Sequence, residues 1–148
     1  LHLYGQAADT AALDWEWAEQ RLREAGTYWV TARTGGHLHP RPVWGVFVEG
    51  LLYLSIGTPA TREALEADPT VTVHLDSGTE VVILEGRAIA TSSGSEVVAE
   101  YDRKYDWSYD IETYGPFSCV APETVLAWHA TGWAGRESFR ATGSWRFD

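Results

Sequence analysis

The chain of 148 residues has a single cysteine, Cys119, and no methionine. A lone cysteine cannot close an internal disulfide, so nothing requires an oxidising compartment and the cytoplasm is the expected location. Basic residues are scarce as well: 11 Lys and Arg stand against 21 Asp and Glu, a formal charge of −10. That excess repels a phosphate backbone and an anionic bilayer, which argues against nucleic-acid and membrane partners. It leaves room for a compact local pocket that holds one or two phosphates. No apolar run approaches the roughly 20 residues that span a bilayer, and Leu1 to Leu13 lacks the basic-then-apolar order of a secretory leader. Also missing are a Gly-x-Gly-x-x-Gly or Walker-type loop, a Gly-x-Ser-x-Gly elbow, a His-Glu-x-x-His pair and a Cys-x-x-Cys pair.

What the chain has in excess is aromatic surface. Eight Trp and seven Tyr are more than a small core asks for, and flat amphipathic rings suit ligand pockets and subunit interfaces. With 45% apolar and 22% charged residues the composition is that of a globular protein. Its length fits one domain, folding alone or as a dimer.

Asp14 is placed to cap a helix over 14 to 25, with Trp15, Ala18, Leu22 and Ala25 on one stripe and Gly26 as a left-handed terminator. From Tyr28 the period changes to two and runs to Gly35-Gly36, a pair suited to a tight hairpin. The return run, Leu38 to Val48, carries Pro40 and Pro42, so its first half is expected to be an irregular sheet edge. Glu49-Gly50 turns into a third strand, Leu51 to Ile56, completing a meander. A helix of two turns is expected between Pro59 and Asp68-Pro69.

Val71, Val73 and Leu75 alternate with polar neighbours, and after Ser77-Gly78 a β-rich run extends from Glu80 to Thr91, with a bulge expected at Gly86. Ser95 is the expected cap of a helix that ends near Asp106, with Val97, Val98, Tyr101 and Tyr105 inward and Glu100, Arg103 and Lys104 outward. Trp107 to Gly115 has no period and reads as a loop over a pocket. Strands follow at 117 to 120, 125 to 131 and 137 to 147. The expected fold is mainly β with flanking helices, a single barrel domain of about six or seven antiparallel strands, since closure removes exposed edges.

Three stretches carry a likeness in their order: Arg41-Pro42-Val43-Trp44-Gly45-Val46, then Leu52-Tyr53-Leu54-Ser55-Ile56-Gly57-Thr58, then Thr61-Arg62-Glu63-Ala64-Leu65 leading to Asp68-Pro69. With Val82-Ile83-Leu84-Glu85-Gly86 and the closing Ser144-Trp145-Arg146-Phe147, the chain resembles the pyridoxamine 5′-phosphate oxidase-like family, the flavin-binding split barrels. The resemblance implies a homodimeric oxidoreductase with flavin mononucleotide (FMN) or the deazaflavin F420 in a groove between subunits, acting on a small-molecule substrate. It puts the Pro42-Val43-Trp44 strand under the ring, with Arg41 beside it among the cofactor-binding residues, and Ser55, Ile56, Gly57, Thr58, Thr61 and Arg62 around the phosphate. Trp44 and Trp145 would stack on or border the ring, and Arg62 and Arg146 are the cations that remain for the phosphate. The phosphate site also has a physical basis, because a strand that turns through Gly57 into a helix start offers free N–H groups and a positive dipole end.

The chain departs from the family at three positions: Thr61 stands where Lys is usual, Ala64 where Asn is usual, and Ser144 where Arg is usual. Two lost cations favour an alternative in which the flavin site is gone and the groove binds haem or a small metabolite. No catalytic motif is needed for the first reading, since the cofactor carries the hydride chemistry.

Blander readings exist for the residues outside that pattern. Arg62 near a helix start can equally be a solvated charge. His37 and His39 share a strand face, but no third ligand stands at a recognisable spacing, so they read as a hairpin-end pair and no metal is expected. His74 and His129 read as barrel histidines, and Trp44, Trp128 and Trp145 suit a core or an interface as well as a groove.

Overall fold

The computed structural model describes residues 11–92, 94–130 and 139–148. Its elements run β1 (Ala11–Ala12), α1 (Trp15–Glu24), β2 (Tyr28–Thr34), β3 (His37–Val48), β4 (Leu51–Ser55), α2 (Pro59–Ala67), β5 (Thr70–His74), β6 (Glu80–Thr91), α3 (Ser95–Tyr105), α4 (Ile111–Tyr114), β7 (Phe117–Ala130) and β8 (Phe139–Arg146). Six strands close a ring in the order β7-β4-β3-β2-β5-β6, with β6 pairing back to β7, while β8 and then β1 extend the sheet from β7. The expected barrel is therefore the architecture. Residue 131 of one expected strand and 137–138 of another lie outside the described residues.

β7 is the strand that splits the barrel. One of its edges gives Ser118–Val120 to β4 and Thr124–Ala130 to β8. The other edge runs along β6 from Phe117 to His129. The register steps from Glu85↔Thr124 to Gly86↔Pro122, so Glu123 is the extra residue of a bulge. That bulge explains why residues 117–130 form one strand rather than the two expected, because it absorbs Pro122, which has no N–H for the ladder. Gly86 is required opposite it: a Cβ there would lie 2.5 Å from the Ala121 carbonyl oxygen.

The prolines of β3 do not disrupt it. Gly35 (φ 59°) and Gly36 (φ 84°) make a two-residue turn, so pairing starts at Thr34↔His37 and alternates between bonded and non-bonded pairs. Pro40 (opposite Thr31) and Pro42 (opposite Trp29) both fall on non-bonded pairs, where the missing N–H is not asked for. Glu49 and Gly50, both at positive φ, make the next turn.

The helix ends also differ from expectation. α1 terminates at Ala25 in extended backbone (φ −61°, ψ 128°), so Gly26 is not its left-handed stop. Gly94, not Ser95, occupies the position before α3, and Asp106 ends that helix in the left-handed region. The stretch after it contains the short helix α4, started by Asp110, whose carboxylate accepts the Glu112 N–H. Among the described residues no helix is long and apolar enough to cross a membrane.

Inward positions of the ring, Val30, Ala32, Leu52, Leu54, Val71, Val73, Val82, Leu84, Val125 and Ala127, are all buried, as the period-two pattern requires. Each large one contributes about 1.5–3 kcal/mol. A second cluster, Val46, Val97, Tyr101 and Phe117, seats α3 on the outside of the barrel. That seat fixes what lies beside the end of β4.

Candidate functional site

β4 ends at Ser55, opposite Trp44 of β3, and the chain turns through Ile56–Thr58 into α2. Pro59 takes the first turn of α2, where its missing N–H costs nothing. Thr58 precedes the helix without a side-chain cap, and the Thr58 carbonyl accepts the N–H groups of Thr61 and Arg62, both at 3.1 Å. A cleft of about 400 Å³ opens between this turn and β3, lined by Val30, Arg41, Pro42, Val43, Trp44, Ser55, Ile56, Gly57, Thr58, Thr61 and Tyr101. Its floor is apolar and its α2 end is polar.

Nine of the twelve residues singled out from the sequence thus meet in one cleft; Arg62, Trp145 and Arg146 do not line it. Arg62 Nε donates to the Ile56 carbonyl at 2.6 Å, and its Nη2 donates to the Tyr114 carbonyl. The guanidinium lies against Gly115, where any Cβ would collide with it, and faces a separate cavity of about 710 Å³ with Leu65, Arg87 and Ile89. Trp145 belongs to β8, outside the ring, and meets Trp15 edge-on at 5.3 Å. Arg146 is exposed, opposite Thr124. His37 and His39 lie together at the β2–β3 hairpin end with rings 6.4 Å apart, and His74 stacks on Trp29 within the sheet.

No family model and no curated protein matches the chain. Solved structures do. A FAD-binding protein from Mesorhizobium loti superposes with a TM-score of 0.59 at 15% identity, over 76% of this chain and 92% of that one. An F420 reductase gives 0.58 at 12% identity, over 72% and 94% of the two chains. A Clostridium acetobutylicum protein related to general stress protein 26, of the pyridoxinephosphate oxidase family, gives 0.58 at 12%, over 90% and 91%. The fold is that of the pyridoxamine 5′-phosphate oxidase-like split barrels.

In this split barrel, α3 adds a wall that the sequence did not assign to the site. Tyr101 reaches the cleft, and the Tyr105 ring stacks on Trp44 at 4.6 Å with an interplanar angle of 2°. The Tyr105 hydroxyl accepts the Gly45 N–H at 3.0 Å and reaches the carbonyls of Gly45 (2.9 Å) and Gly26 (3.0 Å). Lys104, expected to face away, turns under the helix instead: its Nζ donates to Tyr28 Oη and to the Gly45 carbonyl, each at 2.9 Å. Tyr28 Oη in turn donates to the Leu22 carbonyl. This network ties α1, β2 and β3 to α3.

Burial sets the ionisation here. It brings the Lys104 amine down to about 8 and pushes the Tyr101 hydroxyl up to about 12. Burial also drives Tyr28 well above the usual tyrosine range, so all three hydroxyls of Tyr28, Tyr101 and Tyr105 stay protonated near neutrality. The sequence signal for this wall was the i, i+4 spacing of Tyr101 and Tyr105, which gives a shared face but not what that face covers.

Proposed function

We propose that the split barrel is an oxidoreductase of the pyridoxamine phosphate oxidase-like type, holding FMN or F420 in a groove shared by two copies of the chain and acting on a small organic substrate. The convergence of nine predicted residues on one cleft, apolar along β3 and polar at α2, carries this reading. Val30, Pro42, Val43 and Ile56 suit the faces of a flat ring system, with Trp44 at its border. The uncapped start of α2 and the Thr58 and Thr61 hydroxyls suit a phosphate. When bound, the cofactor supplies the hydride chemistry, and the chain supplies orientation and exclusion of water.

The residues fit a singly charged phosphate better than a dianion. Among the described residues Arg41 is the one cation lining the cleft, and its Nη1 already donates to the Pro40 carbonyl at 2.8 Å. Thr61 and Ser144 hold the positions where the family usually has Lys and Arg. A monoester dianion such as that of FMN needs close pairing to offset its desolvation, whereas the phosphodiester of F420 carries one charge. F420 is therefore expected to bind more tightly than FMN. Titrating the purified protein with each and following tryptophan quenching tests this; tighter FMN binding reverses the preference.

A second reading has one observation in its favour: the Arg62 guanidinium is held by Ile56 and Tyr114, away from the cleft, which leaves the phosphate end poor in positive charge. In that reading the groove has lost its flavin and takes haem or a small metabolite. Absence of quenching by both cofactors up to millimolar concentration would favour it.

A further inference from the structure

Beyond the ring floor of the cleft, α3 and the segment after it carry aromatic surface that a cofactor over Pro42–Trp44 does not account for. Trp44 remains 43% exposed although Tyr105 covers one of its faces. Trp107 stands 5.8 Å from it at 86° and is 44% exposed. Tyr114 lies 6.1 Å beyond Trp107 and is also exposed. Tyr109, on the same segment, is packed inward against Phe117 at 4.3 Å. The segment therefore has a place for buried rings and still leaves Trp107 in water. Two indoles near a right angle form a corner, in which a flat ligand stacked on one meets the other edge-on.

Acidic side chains outnumber basic ones along the segment that carries Trp107, with the Arg62 guanidinium at its far end on the Tyr114 carbonyl and Arg41 lining the cleft beside Trp44. Asp102, Asp106, Asp110 and Glu112 lie on the segment that carries Trp107. Hydrogen bonds from Thr113 and from the Glu112 N–H hold the Asp110 carboxyl below its usual range, so it stays ionised. The two bases of the stretch are otherwise engaged: Arg103 pairs with Glu100 at 2.5 Å, and the Lys104 ammonium points under α3 to Tyr28 and Gly45. Carboxylates and the negative faces of the rings select for the same ligand charge.

We infer that the corner formed by Trp44 and Trp107 binds a small planar cation, a positively charged nitrogen heteroaromatic, and that this corner is the substrate side of the cleft. Its role as substrate side rests on the cofactor reading above, because Trp44 belongs to both the corner and the cleft. The binding itself does not.

Saturation-transfer difference NMR on cofactor-free protein provides the test, using an equimolar mixture of nicotinate, nicotinamide and 1-methylnicotinamide: one ring in three charge states. The expected result is strongest saturation of 1-methylnicotinamide, with roughly two- to fivefold tighter binding than nicotinamide and nicotinate weakest. Trp107→Ala should abolish that preference, with near-ultraviolet circular dichroism reporting that the fold persists. The double variant Asp106→Asn with Asp110→Asn keeps every ring and the α4 cap, and should narrow the preference. Equal saturation of all three probes, no saturation because a second copy of the chain covers the corner, or a preference that survives Trp107→Ala would each overturn the inference. Because no flavin is present, failure of FMN and F420 to bind leaves a positive result standing, and a negative one leaves the cofactor reading intact.

Discussion

Lys104 shows how one side chain records its burial in a measurable way. Burial lowers its amine from the ordinary 10.5 to about 8. Below about pH 8 the amine is protonated in the folded and the unfolded chain alike, and the desolvation penalty is carried in full. Between about 8 and 10.5 the unfolded chain holds a proton that the folded chain has released, so this group's contribution to stability rises with pH. Urea midpoints at pH 7.5 and 9.5 should therefore shift upward more in the wild type than in Lys104→Met, which keeps the chain length and removes the charge. An equal shift in both proteins would put the amine in water. Gly86 gives a second residue-scale expectation: Gly86→Ala forces a methyl group to 2.5 Å from the Ala121 carbonyl and should cost about 1–3 kcal/mol, read as a lower urea midpoint at unchanged slope.

Among the elements, α2 and the segment after α3 are joined by Arg62 through the carbonyls of Ile56 and Tyr114. Arg62→Ala should release that segment, costing about 1–3 kcal/mol and speeding amide exchange at residues 111–116. Unchanged exchange there would mean that the guanidinium is only a surface charge. The same elements separate what could be read in the sequence from what could not. Strand phases were legible because period-two alternation and the Gly35-Gly36 turn are local signals, and the strand-turn-helix at Ser55–Thr61 was legible because it is contiguous. The regularity of β3 was not, since whether Pro40 and Pro42 sit on bonded or free positions depends on the partner strand. Nor was the α3 wall: Lys104 looks outward on a helical wheel, and only docking at Gly45, nearly sixty residues earlier in the chain, turns its amine inward. The Arg62 contact was not legible either, because nothing local signals the Tyr114 carbonyl that accepts from its guanidinium.

For the whole molecule, the proposal with the widest reach is association. Ile89 (54% exposed) and Phe147 (36% exposed) stand at the ends of β6 and β8, and Leu38 caps the β2–β3 hairpin at 66% exposed. Apolar side chains left this open suit a subunit interface, and a stable one buries on the order of 2,000 Å². Light scattering after size exclusion should give about twice the 16.4 kDa of one chain; a monomer at micromolar concentration would remove the shared groove and with it the cofactor proposal. Replacing Ile89 by Asp should shift the equilibrium toward the single chain.

The three-way pairing of β7 also sets a schedule for synthesis. β4 and β6 both wait for it, β4 across more than sixty intervening residues, so a nascent chain emerging only as far as residue 116 carries two unpaired strand edges, Leu51–Ser55 and Glu80–Thr91. At a translation rate of about 5–20 residues per second, the 14 residues of β7 take roughly one to three seconds to make. A nascent chain held with Phe117 still inside the ribosome would present a template for intermolecular strand pairing. One that has emerged past Ala130 would hold a closed ring.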